Sequence, residues 1–210
     1  MRAGAAVIYI VDDDMSARIA AGRLLGASGY QVSLHESAND LLGKLPAFGR
    51  GCILLDVQMP GFSGPQLQEQ LSKMGCFLPI IFLTGHGDIQ GSVRAIKAGA
   101  EDFLTKPVTK KVLIETIERA LRHYDETHER NARLGTFREL FSKLTPRERE
   151  VFALVVRGKL NKQIAYDLGT SERTIKAHRH NIMEKFKVNS LAELVSIAEN
   201  IGALTGSLGS

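Results

Sequence analysis

The chain has 210 residues, enough for one or two domains, with 44% hydrophobic and 24% charged residues and no Trp. No apolar run approaches the ~20 residues of a spanning helix, and the opening "MRAGAAVIYIVDDD" runs into three acids instead of a cleavage site, so a cytoplasmic location without a membrane partner is expected. The net charge of +4 is uneven: residues 1–107 hold 9 Lys and Arg against 10 Asp and Glu, residues 143–189 hold 11 against 5, which points to a near-neutral front module and a basic rear one suited to a polyanion.

In chain order, "AVIYIV" (6–11), "QVSLH" (31–35), "CILLDV" (52–57), "PIIFLTG" (79–85) and "EDFLTK" (101–106) read as strands from their length and branched residues. Helical spacing lies between them. Ile19, Leu24 and Leu25 mark the first helix, Leu41, Leu42 and Leu45 the second. Leu67 and Leu71, after a start at Ser63, mark the third, and Val93, Ile96 and Ala100 the fourth. A fifth begins near Val108. Strands alternating with helices predict a parallel sheet covered on both faces, here a flavodoxin-like (βα)5 α/β domain over 1–124. Cys52 and Cys76 are too few for a disulfide framework or a zinc site. Leu113, Ile117 and Leu121 keep helical spacing, and the polar stretch after Tyr124 is expected to continue that helix as a linker over 125–142, with Gly135 its weak point.

Doubly wound topology gathers its ligand groups at the carboxyl ends of the strands. Those ends are Asp12 and Asp13, Asp56, Thr84, and Lys106. Close carboxylates resist ionising together unless a cation joins them. Lys106 supplies one charge and a divalent ion such as Mg2+ (or Mn2+) would supply two more. That set suits phosphoryl chemistry, with Asp56 as carboxylate nucleophile and Thr84, Lys106 and the metal on the equatorial oxygens.

"VDDD", "LLDVQMPG", "LTGHGD" and "KAGAEDFLTKP" together resemble the motifs of a bacterial response-regulator receiver domain. The resemblance implies that Asp56 accepts phosphate from a sensor histidine kinase. It implies that Asp13, Asp56 and the backbone carbonyl of Gln58 touch the metal, with Asp12 acting through water, and that Lys106–Pro107 is cis. It also assigns Thr84 and Phe103 as the pair that moves on phosphorylation. Asp14 is a further acid without an evident role, and His86 reads as a solvated loop residue. A haloacid-dehalogenase-type phosphatase would use similar groups, but its second Asp is replaced here by Gln58.

The rear module, residues 143–204, opens with Thr145-Pro146 and "REREV", a cap, a Pro and first-turn acids. Gly158 closes that helix, Asn161 is expected to cap a short second one, and Gly169 and Ser171 separate it from a longer third. A fourth helix starts at Ser190. This is a helix-turn-helix pattern in an all-α four-helix domain. On the third helix Ile175, Ile182 and Phe186 form the core face. Lys176, Ala177 and His180 face outward as base-reading candidates, while Arg173, Thr174 and Arg179 suit phosphates and Lys162 and Lys187 add attraction.

The stretch "LTPREREVFALVVRGKLNKQIAYDLGTSERTIKAHRHNIMEKFKV" resembles the LuxR-type (FixJ/NarL-type) DNA-binding domain, and "TGHGD" resembles the FixJ-like branch. The combined resemblance implies a two-component transcription factor for double-stranded promoter DNA. Its phosphorylated form would be a homodimer, paired through the face of the fourth helix and fifth strand (about 88–105), with RNA polymerase a possible further partner. The alternative is a DNA-binding protein that uses the receiver fold for dimerisation alone, without phosphorylation. Residues 205–210 read as a tail.

Overall fold

The computed structural model describes residues 6–44, 49–85 and 99–202. Leu45, His86, Val93, Ile96, most of the 88–105 segment and the 205–210 tail lie outside them. The chain divides into two compact units between Thr127 and His128.

The front unit is built on five parallel strands, β1 (Val7–Val11), β2 (Gln31–His35), β3 (Gly51–Asp56), β4 (Ile80–Thr84) and β5 (Asp102–Thr105), in the order β2-β1-β3-β4-β5. The described helices here are α1 (Met15–Gly26), α2 (Ala38–Lys44), α3 (Gly64–Lys73) and α4 (Lys110–Ser142). Side chains alternate across a strand, and this sheet uses both faces. Tyr9, Val11, Ile53, Leu55, Ile80 and Phe82 pack with Ala38, Leu41, Leu67 and Leu71 of α2 and α3. Ile8, Ile10, Cys52, Leu54, Ile81 and Leu83 pack with Leu25 of α1 and with Leu113, Ile117, Ala120 and Leu121 of α4. Burial on both faces explains why β3 and β4 read as unbroken apolar runs. Both cysteines are free and buried, and burial pushes the Cys52 thiol well above its ordinary range.

The register brings the polar strand ends level. Val11 pairs with Leu55, Asp56 with Leu83 and Thr84 with Thr105. Gly64 is required at the start of α3, because a Cβ there would meet the Asp56 carbonyl at 2.6 Å and Phe82 at 2.8 Å.

Helix α4 runs through Gly135 unbroken, so the expected weak point is not one. A single glycine costs about 1 kcal/mol in a helix interior, too little to break a helix of 33 residues. Its early turns belong to the front unit, where Arg50 donates twice to Asp125 from Nε and once from Nη2, at 2.8–3.1 Å. Its last turns belong to the rear unit, where Phe137, Leu140 and Phe141 pack on the core.

The remaining rear helices are α5 (Pro146–Val156), α6 (Asn161–Asp167), α7 (Glu172–Phe186) and α8 (Leu191–Asn200). Val151, Phe152 and Val155 of α5, Ile164 and Ala165 of α6, Ile175, Ile182 and Phe186 of α7, and Leu194 and Ala198 of α8 form one core. Thr145 and Glu148 form a reciprocal capping box at the start of α5. Gly158 and Gly169 adopt φ of +81° and +60° at the ends of α5 and α6, as helix-terminating residues do.

Candidate functional site

The acids after β1 and β3 meet. One oxygen from each of Asp12, Asp13 and Asp56 lies within 4.8 Å of the others. Lys106, at the end of β5, donates from Nζ to Asp12 Oδ2 at 2.7 Å and to Asp56 Oδ2 at 2.9 Å. Burial lowers the Lys106 pKa, but its bonds to the two carboxylates outweigh that and leave it above its ordinary value. The other oxygens are also engaged: Asp14 N–H donates to Asp12 Oδ1 at 2.9 Å and Gln58 N–H to Asp56 Oδ1 at 3.1 Å. The Lys106–Pro107 peptide is cis. Asp12 is 2% exposed, Asp56 is half-buried and Asp13 faces solvent.

Thr84 is buried one strand away, and its carbonyl accepts from Lys106 N–H at 2.7 Å. Phe103, half-buried on β5, packs against Phe82 with ring centroids 6.3 Å apart. Asp14 proves to be the N-cap of α1: its carboxylate accepts from Ser16 and Ala17 N–H, and those backbone bonds hold its carboxyl below the usual range.

Three carboxylates facing one ammonium leave the cluster short of positive charge. Its donors are all carboxylate oxygens, which suit a hard divalent ion. Among the described residues the Asp13 side chain has no hydrogen bond or ion pair of its own. The donor set therefore fits Mg2+, with Asp13 and Asp56 as the accessible carboxylates.

In the rear unit α7 presents Arg173, Lys176, Ala177 and His180 to solvent, with Thr174 half-buried beside its cap Ser171. Asn161 is not the cap of α6. It is the first helical residue, the cap position is Leu160, and Gln163 Oε1 accepts from Leu160 N–H at 2.9 Å. Asn161 Oδ1 instead accepts from Arg179 Nη1 at 2.7 Å, so the guanidinium expected to be free for phosphate already tethers α7 to α6. Several other cations are occupied within the chain. Lys185 bonds to buried Glu148, Arg147 to the Leu168 carbonyl and Glu150, Arg149 to the Ser142 carbonyl, and Lys159 to Asp167. Among the described residues, Lys162, Arg173, Lys176 and Lys187 carry no such bond, nor does Arg157. Lys187 ends α7 in the left-handed conformation, φ 54°.

The response regulator receiver domain family matches residues 8–118, and the luxR family of bacterial regulatory proteins matches residues 142–198. The chain belongs to the response regulators of the FixJ/NarL family. Over 197 residues the regulator is 43% identical to the response regulator protein TodT of Pseudomonas putida, covering 94% of this chain and 87% of TodT. Over 198 residues it is 40% identical to the transcriptional regulatory protein FixJ of Rhizobium meliloti, covering 91% and 94%. Among solved structures it is similar to the response regulator StyR, with 44% identity and a TM-score of 0.82 over 93% of this chain and 99% of that one. It is also similar to full-length FixJ from B. japonicum, with 38% identity and a TM-score of 0.59 over 95% and 98%. The regulator thus pairs a receiver with a LuxR-type DNA-binding domain, and among its described residues no helix is long and apolar enough to cross a membrane.

The sequence reading missed Arg18. Its Nη1 donates to the Asp12 carbonyl at 2.5 Å and, at a longer 3.4 Å, to that of Asp13. The signal was available as a cation one helical turn after the Asp14 cap.

Proposed function

We propose that the regulator accepts a phosphoryl group on Asp56 from the phosphohistidine of a sensor kinase and then binds promoter DNA as a dimer. The observation that carries this reading is the Lys106 ammonium shared between Asp12 and Asp56, beside the Asp13 carboxylate. The carboxylate oxygen of Asp56 forms a bond to phosphorus as the P–N bond to the kinase imidazole breaks. Asp13, Asp56 and the Gln58 carbonyl would hold Mg2+, with Asp12 acting through water, and the ion would supply charge that neutralises the phosphoryl oxygens. Lys106 donates to one such oxygen, and the Thr84 hydroxyl turns to another. Phe103 follows inward, and the face of β5 changes shape. The chain acts as substrate of this transfer and of its own hydrolysis, not as a turnover enzyme.

The receiver takes residues 1–124, the DNA-binding domain 143–204 and the linker 125–142, with 205–210 a tail. Two rear domains then meet two half-sites. Lys176, Ala177 and His180 face base edges, Arg173, Thr174 and Arg179 face phosphates, and Lys162 and Lys187 add attraction. Contact with RNA polymerase follows promoter binding, and the whole cycle is cytoplasmic.

The test is intact mass and oligomeric state with Mg2+ and a small phosphodonor, on wild type and Asp56→Asn. One added phosphoryl mass, lost in the variant and accompanied by dimerisation, supports the reading. No mass gain in wild type refutes it in favour of a receiver-shaped dimerisation module. A mass gain without dimerisation keeps the chemistry and moves the switch elsewhere.

A further inference from the structure

The acidic cluster holds its three carboxylates in different ways. Asp12 is gripped by Asp14 N–H and Lys106, and Asp56 by Gln58 N–H and Lys106. The Asp13 side chain has no partner among the described residues, so its aim depends on the backbone that carries it. That backbone follows β1, whose last register pair is Val11 with Leu55, and enters α1 at its cap Asp14. Between these anchors only two residues remain, Asp12 and Asp13, and Arg18 of α1 bonds to the carbonyls of both, closely at Asp12 and more loosely at Asp13. Arg18 is fixed in turn because its own N–H donates to the Asp14 carbonyl at 2.9 Å.

We propose that Arg18 is a positioning residue for divalent-cation binding: by holding the Asp12 and Asp13 carbonyls, it aims the otherwise unsupported Asp13 carboxylate into the cluster. This rests on the reading of the cluster as a Mg2+ site. The guanidinium acts on carbonyls and not on carboxylates, so it orients the acids without occupying them. Groups that orient metal ligands typically control affinity by 10–100-fold.

The direction of the effect separates this role from simple charge. Removing a cation beside an acidic cluster strengthens metal binding by Coulomb's law alone. Loss of positioning weakens it. The experiment is calorimetric titration of the full-length chain with Mg2+, without phosphodonor and well below the unfolding temperature, for wild type, Arg18→Ala and Arg18→Lys. Arg18→Ala is expected to bind Mg2+ about tenfold or more weakly, with Arg18→Lys in between because an ammonium still reaches one carbonyl. Equal or tighter binding in Arg18→Ala overturns the inference. If Arg18→Ala does not fold, Arg18→Lys decides alone: affinity equal to or above wild type overturns the inference, and weaker binding supports it. A wild type with no Mg2+ binding, or one whose binding survives Asp13→Asn unchanged, overturns the reading of the cluster and the inference with it.

Discussion

Asp13→Asn is expected to stabilise the metal-free chain while removing its response to Mg2+. The Asp13 carboxylate lies within 4.8 Å of oxygens on Asp12 and Asp56 and has no side-chain partner among the described residues. In water, two like charges at that distance repel by about 0.9 kcal/mol. Two such repulsions, partly offset by Lys106 and screened by salt, leave about 0.5–1 kcal/mol for the substitution to relieve. For a domain of this size that is a rise of about 2–4 °C in the receiver transition. Wild type should instead gain about 1.4 kcal/mol for each tenfold of Mg2+ above its dissociation constant. Calorimetric unfolding in chelator and across two decades of Mg2+ reads both effects. A less stable variant in chelator, or a variant that still climbs with Mg2+ as wild type does, refutes the argument that Asp13 is an unpaired charge waiting for a cation.

Buried His35 bonds to Ser33 and Asp40, and burial, opposed by Asp40, leaves its pKa below the ordinary value. The unfolded chain therefore takes the proton first, so the receiver should lose stability as pH falls below about 6.5 and keep it above. Exposed His123 has the opposite shift, raised by Glu101, and its contribution is present below about 6.5 and lost as pH rises through its folded value. Urea midpoints at about pH 7.5 and 5.5 should fall with acid in wild type and flatten in His35→Gln; an unchanged acid slope in the variant counts against His35. Gly135 lies inside α4 with nothing within 4 Å of where a Cβ would stand, so Gly135→Ala should add about 0.5–1 kcal/mol to the stability of the helix, read by circular dichroism on heating. No gain would mean that the site resists a side chain. On random-sequence duplex, Arg179→Ala should reduce the slope of log K against log salt by about 0.9. Asn161→Ala should weaken binding with the slope unchanged, because the charge stays and only its tether is lost. A steeper slope in Asn161→Ala would show that Asn161 withholds Arg179 from DNA.

The strand ends were legible because β1, β3 and β4 are contiguous apolar runs that each stop at a polar residue, and one topology brings those stops level. The core face of α7 was legible for the analogous reason, since Ile175, Ile182 and Phe186 recur at helical spacing. Contacts between a long side chain and a distant carbonyl left no such trace. Arg147 reaches the Leu168 carbonyl 21 residues away, and Arg50 reaches Asp125 across 75. Asn161 misled because Asn caps helices well. Here Gln163 satisfies the first turn from inside, which frees the Asn161 amide for Arg179. Gly135 misled because local propensity was weighed alone, while both ends of α4 are anchored by packing that a single glycine cannot outweigh.

The rear unit's charge acquires meaning once its internal pairs are removed from the count. Arg147, Arg149, Lys159 and Lys185 each hold an element of the fold in place, whereas Arg179 is held through one N–H by the neutral Asn161 amide and keeps its charge for a phosphate. Among the described residues seven lysines and arginines of the rear unit carry no such bond: four of them, Lys162, Arg173, Lys176 and Lys187, were named from the sequence as DNA contacts, while Arg130 and Arg138 lie on α4 and Arg157 ends α5. A cation engaged with a carboxylate must give up that bond before it can neutralise a phosphate, so its net gain on DNA is small. An unengaged, solvated cation gives up only water and returns a counterion from the duplex. The same logic governs the receiver with signs reversed. Lys106 neutralises two carboxylates, Arg18 spends its charge on carbonyls, and Asp13 is left as the acid with nothing to release before it meets a cation. In both units some of the charged groups that the fold leaves unpaired among the described residues are those the proposed partners would satisfy, a divalent ion in front and a phosphate backbone behind.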